Sequence, residues 1–352
     1  MISTGAIRRV RAGGRNVWSE ILHLGPNRQN HWGAIQVGIG VTGPLVLLVA
    51  LDRTDLLAYA VFGSLSAVYG KRLPPIPRLL TQLGAGALLV FAVCVGVLVG
   101  ANADSGLLAL PAMSLVSVAG LLAADRLGWV PSPSLFLVFA TGTIAAQGHE
   151  LADVQTAFVA SALAAVFGAV VGQAVYLLQI AAQAEFVTLK PKRSTIVSFE
   201  FLEQVTVSAI APIIAGGLAL AFGVGHAYWA AVSATVPLVG VGLTNRLGRG
   251  ALRLFGTLLG SALAFLLLSF LPTDWMRVVL VGLLQFLVEL FVDRNYGIAV
   301  VFITPLALIL TSFASPEPAA TLVTDRVIAT VIGTVVAFGL LVLARLVAHW
   351  RR

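Results

Sequence analysis

Apolar residues run along this chain in long unbroken stretches. They show neither the alternation of half-buried strands nor the one-sided stripes of surface helices. Twelve stretches stand out, at 34–51, 56–70, 79–101, 106–124, 134–147, 156–181, 204–222, 227–243, 253–270, 275–291, 297–314 and 325–347. A helix crossing hydrocarbon needs about 20 apolar residues, because it must satisfy its own backbone hydrogen bonds. The stretches at 56–70 and 134–147 are short for this, as tilted, broken or re-entrant segments are. The pattern therefore predicts an all-α polytopic membrane protein with about twelve transmembrane helices.

Composition agrees. The chain is 59% hydrophobic and 11% charged, whereas an ordinary soluble domain is roughly 25% charged, so a water-facing surface cannot be assembled from it. The single cysteine, Cys94, lies inside the third stretch and excludes an intramolecular disulfide. Residues 1–33 form a cytoplasmic segment with no apolar core of signal-peptide length. Within it Val17, Trp18, Ile21, Leu22 and Leu24 fall at roughly helical spacing beside Arg15 and Glu20, the pattern either of an interfacial helix or of a plain tail.

Charge orients the spans. With twelve crossings, all but three of the 22 Lys and Arg fall on the side of the N-terminus, the exceptions being Arg53, Arg277 and Arg326. By the positive-inside rule that side is cytoplasmic. The expected protein is a multi-pass component of a bacterial plasma membrane with both ends of the chain inside. Its pI near 10.2 then reflects topology and anionic headgroups, not nucleic acid. The stretch "TNRLGRGALRLFGTLLG" (244–260) places Arg246, Arg249 and Arg253 at the cytoplasmic lip of the ninth span. Gly256 and Gly260 follow as a small-residue pair for close helix packing. A phosphate-binding loop would need a preceding strand and a Gly-Lys-Ser/Thr ending, and has neither.

A self-comparison at an offset of 168 brings Pro44 onto Pro212, Arg78 onto Arg246, and Asp125-Arg126 onto Asp293-Arg294. Six spans per half put both halves in the same direction. The expectation is a parallel repeat, 34–181 and 204–347, joined by a cytoplasmic linker at 182–203 and followed by a tail at 348–352, with a substrate path between the repeats. Pro44 and Pro212 each bend the first helix of a half, a bend that either frees carbonyls toward the path or has no function.

Ionisable residues within spans are costly and mark pathways. Glu289 is the clearest, and Gln285, Glu289 and Asp293 share a helical face that continues into Arg294, Asn295 and Tyr296. This stripe either faces a vestibule, with Glu289 exchanging a proton or meeting an arginine, or forms an ion pair with Arg294 that pins a helix end. Thr304 and Trp229 are further polar positions, Tyr228 and Trp229 reading either as interfacial anchors or as a stacking surface. His31 and His226 stand at span ends, away from any cluster of ligand spacing. No metal site, cofactor motif or catalytic set is expected, and the chain does not read as an enzyme.

The stretch 226–347 resembles the fusaric acid resistance type (FUSC-like) family, which includes aromatic acid exporters, through "YWAAVSATV", arginines followed by "FGTLLG", "DRNYGIAVVFITPL" and "DRVIATVIGTVVAFG". The resemblance implies two sets of about six helices. A more distant likeness to plant malate channels implies two six-helix units around an anion path. Together these readings point to a secondary transporter or channel-like exporter of organic, aromatic acid anions. Arg249, Arg253 and Arg294, with Arg126 in the first half, would attract the anion, and Glu289 would couple its movement. The implied partners are a small organic anion and the lipid bilayer, with oligomerisation left open. The alternative is a non-transporting scaffold or accessory subunit, in which the arginines serve orientation alone.

Overall fold

A computed structural model describes residues 30–184, 199–238, 243–270, 273–314 and 317–350. The proposed interfacial segment, with Arg15 and its neighbours, the "LKPKRST" part of the linker and the last two arginines lie outside the described residues. Twelve α-helices and no strand are present among those described: α1 (Asn30–Ala50), α2 (Leu57–Ser64), α3 (Pro75–Gly100), α4 (Ser105–Leu127), α5 (Ser134–Ala145), α6 (Asp153–Ala181), α7 (Phe199–Ala221), α8 (Tyr228–Thr235), α9 (Leu243–Phe270), α10 (Asp274–Phe291), α11 (Tyr296–Ala314) and α12 (Ala319–Trp350). Eight of them, α1, α3, α4, α6, α7, α9, α11 and α12, are long and apolar enough to cross a membrane. The other four are shorter or more charged.

Local chemistry sets several boundaries. Pro75 opens α3, where a missing N–H costs nothing, and left-handed Gly128 (φ 70°) closes α4. The Thr273 hydroxyl accepts from the Met276 N–H at the start of α10, and Asn295 Oδ1 accepts from the Ile298 N–H at the start of α11. Asn295 thus serves as a helix cap within the polar stripe.

Two helices are half-length. Both α2 and α8 have eight residues and run on into a 3-10 turn (Leu65–Val68 and Val236–Leu238); α8 is buried throughout its α-helical part, and α2 at every position but the partly buried Ala58. Their small residues admit close neighbours. A Cβ on Gly63 of α2 would collide with the Ser161 carbonyl of α6, and one on Gly333 of α12 would collide with the Ala230 carbonyl of α8.

Packing follows a recurring scheme. Within α1–α6, α6 packs on α1, α2 and α3, and α5 on α3 and α4; within α7–α12, α12 packs on α7, α8 and α9, and α11 on α9 and α10. Between the sets, α1 lies on α10, α7 on α4, α8 on α5 and α11 on α2. The outward faces are aliphatic and aromatic, as in Leu80, Phe91, Leu163, Leu259, Val279 and Val335, all exposed. Such a rim suits lipid, because hydrocarbon solvates those side chains as well as a core does.

Candidate functional site

The polar interior differs from the one the sequence led us to expect. Three arginines placed at membrane faces by their position near span ends, Arg78, Arg253 and Arg326, are instead 0%, 2% and 1% exposed within helices. Arg78 stands just before its apolar window and Arg253 and Arg326 at the start of theirs, but helices α3, α9 and α12 begin earlier than those windows, so all three arginines fall inside a helix.

Arg78 is fully engaged. Its guanidinium donates to the carbonyls of Leu73 (3.2 Å), Lys71 (2.7 Å) and Gly172 (2.9 Å), with Gln36 and Gln179 side chains at 3.4 Å. Left-handed Gly70 (φ 71°) lets the preceding connection fold tightly over it. Arg78 is a structural clamp holding the 69–74 connection to α6.

Arg253 and Arg326 are not engaged in this way. Nε and Nη2 of Arg253 and Nε and Nη1 of Arg326 are buried with no hydrogen-bond partner among the described residues, and neither side chain forms an ion pair. The Arg326 guanidinium lies 5.2 Å above the Trp229 ring, and Arg253, Tyr228 and Tyr296 are within electrostatic range of it. Helical spacing extends the set. Arg253, Thr257 and Ser261 form one file on α9, Arg326, Thr330 and Thr334 one on α12, and Trp229 and Ser233 one on α8, all buried. Of these, the Trp229 Nε1 and the hydroxyls of Ser233, Thr257, Ser261 and Thr334 also lack a partner, as does the Tyr296 hydroxyl. Thr330 and Thr304 return their hydroxyls to the carbonyls four residues back, at 2.8 and 3.0 Å.

Desolvating one guanidinium without a counter-charge costs several kcal/mol, and each orphaned polar group roughly 1–3 kcal/mol more. The two guanidiniums lie within electrostatic range of each other and keep unused donors. The adjoining face of α9, carrying Gly256 and Gly260, closes on α11. A Cβ on Gly256 would lie 2.6 Å from the Gly297 carbonyl oxygen, and one on Gly260 2.7 Å from that of Val301. Trp229 and Tyr228, 0% and 6% exposed, belong to this interior and not to an interfacial aromatic belt.

One end of the bundle is cationic and tied across the two sets. Lys71 contacts Glu289, and Arg72 donates to Asp293 at 2.7 Å. Glu289 thus pairs with a lysine from the connection after α2; the sequence offset hid this because the partner lies in the other half. Burial pushes the Lys71 ammonium down to about 8, the Asp293 carboxylate opposing that shift. Arg249 stacks on the Tyr296 ring at 4.8 Å, Arg294 stands over Phe291 at 5.7 Å, and Gln285 is buried one turn further in. Arg126 is exposed beside Asp125 (3.6 Å). Pro44 and Pro212 lie inside continuous helices, α1 and α7.

At the other end a cavity of about 80 Å³ is lined by Thr143, Gln147, His226, Tyr228, Thr311 and Glu317, contributed by both sets. His226, expected to be exposed, is 6% exposed, and its Nδ1 lies 2.9 Å from Asp325 Oδ2. Sequence reading missed Arg326, Thr257, Ser261, Thr330, Thr334 and this His–Asp pair. The four-residue spacing of the files was a usable signal, whereas the His226–Asp325 contact, 99 residues apart, had none. No group of His, Cys, Asp or Glu able to hold a metal is present among the described residues.

Comparison with known proteins places this site within the recognisable part of the chain. Residues 214–340 match a family model described as fusaric acid resistance protein-like. That span includes α8, α9, α10 and α11 in full and the Arg326 file of α12. The chain is also similar to the uncharacterized membrane protein YvaC of Bacillus subtilis (strain 168), 38% identical over 93 residues, which are 26% of this chain and 15% of that protein. No solved structure matches. The chain is thus an all-helical membrane protein with a fusaric acid resistance-like region.

Proposed function

We propose that this protein exports organic acid anions, aromatic carboxylates among them, across a bacterial plasma membrane. The buried Arg253–Arg326 pair carries the reading, since two neighbouring guanidiniums without a carboxylate partner are held at a cost that anion binding would relieve. The polar files of α8, α9 and α12 would continue the path between the outer cavity and the cationic end. The Trp229 and Tyr228 rings beside the arginines would favour an aromatic body on the anion.

In this reading the end holding Lys71, Arg72, Arg126, Arg249 and Arg294 faces the cytoplasm. There it concentrates anions, and an inside-negative potential drives each negative charge outward by about 2.3 kcal/mol per 100 mV. The matching packing schemes of α1–α6 and α7–α12 support two repeats in parallel orientation, and the paired placement of α1 on α10 and α7 on α4 supports a pseudo-two-fold between them. The repeats would have diverged in chemistry. Subtracting 168 from 253, 257 and 261 gives Ala85, Leu89 and Val93, all apolar and buried, so the anion route belongs to the second set.

Purified protein in liposomes loaded with labelled 4-hydroxybenzoate should release it when an inside-negative potential is imposed, and Arg326→Gln should reduce the release at least tenfold. Release equal to that of protein-free liposomes would reject transport of this anion class.

A further inference from the structure

The proposed anion site adjoins a proton-binding group that the transport reading leaves unused. His226 precedes α8, lines the outer cavity, and stacks on Trp229 with ring centroids 4.5 Å apart at 17°. Trp229 in turn lies beneath Arg326. Asp325, the residue before Arg326, receives both the His226 backbone N–H (3.2 Å) and its Nδ1 (2.9 Å) on Oδ2. Gly225 allows this closure, since a Cβ there would lie 2.8 Å from the same oxygen. Glu317 stands 4.0 Å from Nε2.

We infer that His226 couples proton binding to anion binding: its protonation offsets the Asp325 carboxylate and adds positive charge beside the Trp229 ring that Arg326 covers, so that proton and anion each favour the binding of the other.

The charge count gives the sign. The ionisable groups facing His226 are Asp325 from α12, Glu317 from the connection before it, and Tyr228 from α8, while Arg326 lies over the Trp229 ring on which His226 stacks. The residues of α5 and α11 that line the cavity, Thr143 and Thr311, do not ionise. With His226 neutral, Asp325, Glu317, Arg253 and Arg326 sum to zero; with His226 protonated, the group sums to +1. An approaching anion therefore meets more attraction when His226 carries its proton. By linkage the bound anion strengthens proton binding by the same factor. The cavity gives protons from that side direct access to the imidazole, which stacks on the Trp229 ring that Arg326 also covers. His226 is thus a positioning residue that acts through Asp325 and Arg326.

The inference rests on the anion-site reading, and one binding series separates the two. Benzenesulfonate stays ionised throughout, so its own titration cannot contribute, and its affinity for the full-length protein in detergent is measured between pH 5.5 and 8. Wild type is expected to bind about tenfold more tightly at the acid end than at the alkaline end. His226→Gln should bind at all pH values with the weaker affinity of wild type at pH 8. Asp325→Asn should bind more tightly than wild type at pH 8, an outcome that misfolding cannot produce. A His226→Gln protein that keeps the wild-type pH slope, or a wild type with none, overturns the coupling and leaves the anion site standing. Absence of binding by wild type at every pH overturns the anion site and the coupling with it.

Discussion

At the scale of single residues, the three buried arginines separate structure from function by where their donors go. Arg78 gives its protons to carbonyls, and replacing it by Met would strand the Gly172 and Lys71 oxygens. A loss of about 3–5 kcal/mol is expected, read as a lowered melting temperature in detergent. Arg326 should behave in the opposite way. No carboxylate is paired with its charge, so Arg326→Met is expected to stabilise the anion-free protein by about 1–4 kcal/mol, read as a raised melting temperature, and to abolish any further rise on adding anion. The same melting experiment thus assigns the two residues to different classes. Little of this was legible in the chain alone. In the chain alone Arg253 and Arg326 stand at the first and second positions of their apolar stretches and read as span-end charges, although their spacing to Thr257, Ser261, Thr330 and Thr334 is that of a helix face.

Among helices, the contact most sensitive to side-chain size is α9 against α11. Gly256 and Gly260 admit the α11 backbone, and Gly260→Leu is expected to destabilise the protein by about 1–3 kcal/mol through overpacking. Gly339 of α12 has open space around it, so Gly339→Ala there should be neutral or stabilising by up to about 1 kcal/mol, as helix propensity dictates. Helix number was readable because the apolar stretches are separated by Gly, Pro or charge, whereas not every limit was: α8 ends at Thr235 and not at 243, and α9 begins at Leu243 and not at 253. Even the two short stretches at 56–70 and 134–147 emerged as the shortened helices α2 and α5. The polar stripe was readable as well, and Gln285, Glu289 and Asn295 are indeed among the buried polar residues. Its partners were not: Lys71 and Arg72 meet Glu289 and Asp293 only when the first set packs on the second, and no local pattern encodes that register. For the same reason a single Glu289→Gln change, which leaves Lys71 buried opposite a neutral group, should destabilise more than the double change Lys71→Met with Glu289→Met; paired melting curves would measure the difference.

For the molecule as a whole, sidedness and route are the claims that matter. The proposed orientation puts Arg126 in the cytoplasm and Glu150 outside, both being exposed. In a protein whose Cys94 has been replaced by Ala, Glu150→Cys should react with a membrane-impermeant maleimide on intact cells, and Arg126→Cys only after permeabilisation. The reverse pattern would invert the direction of transport. The central claim is that an anion lodges between Arg253 and Arg326, inside the second set of helices. Crystals grown with 4-bromobenzoate test it most directly, because bromine scatters anomalously and marks its own position. The expected result is an anomalous peak beside Trp229 with the carboxylate against the two guanidiniums, lost in the Arg253→Gln, Arg326→Gln double variant; bromine found only at the lipid-facing surface or along the junction of the two sets would contradict it.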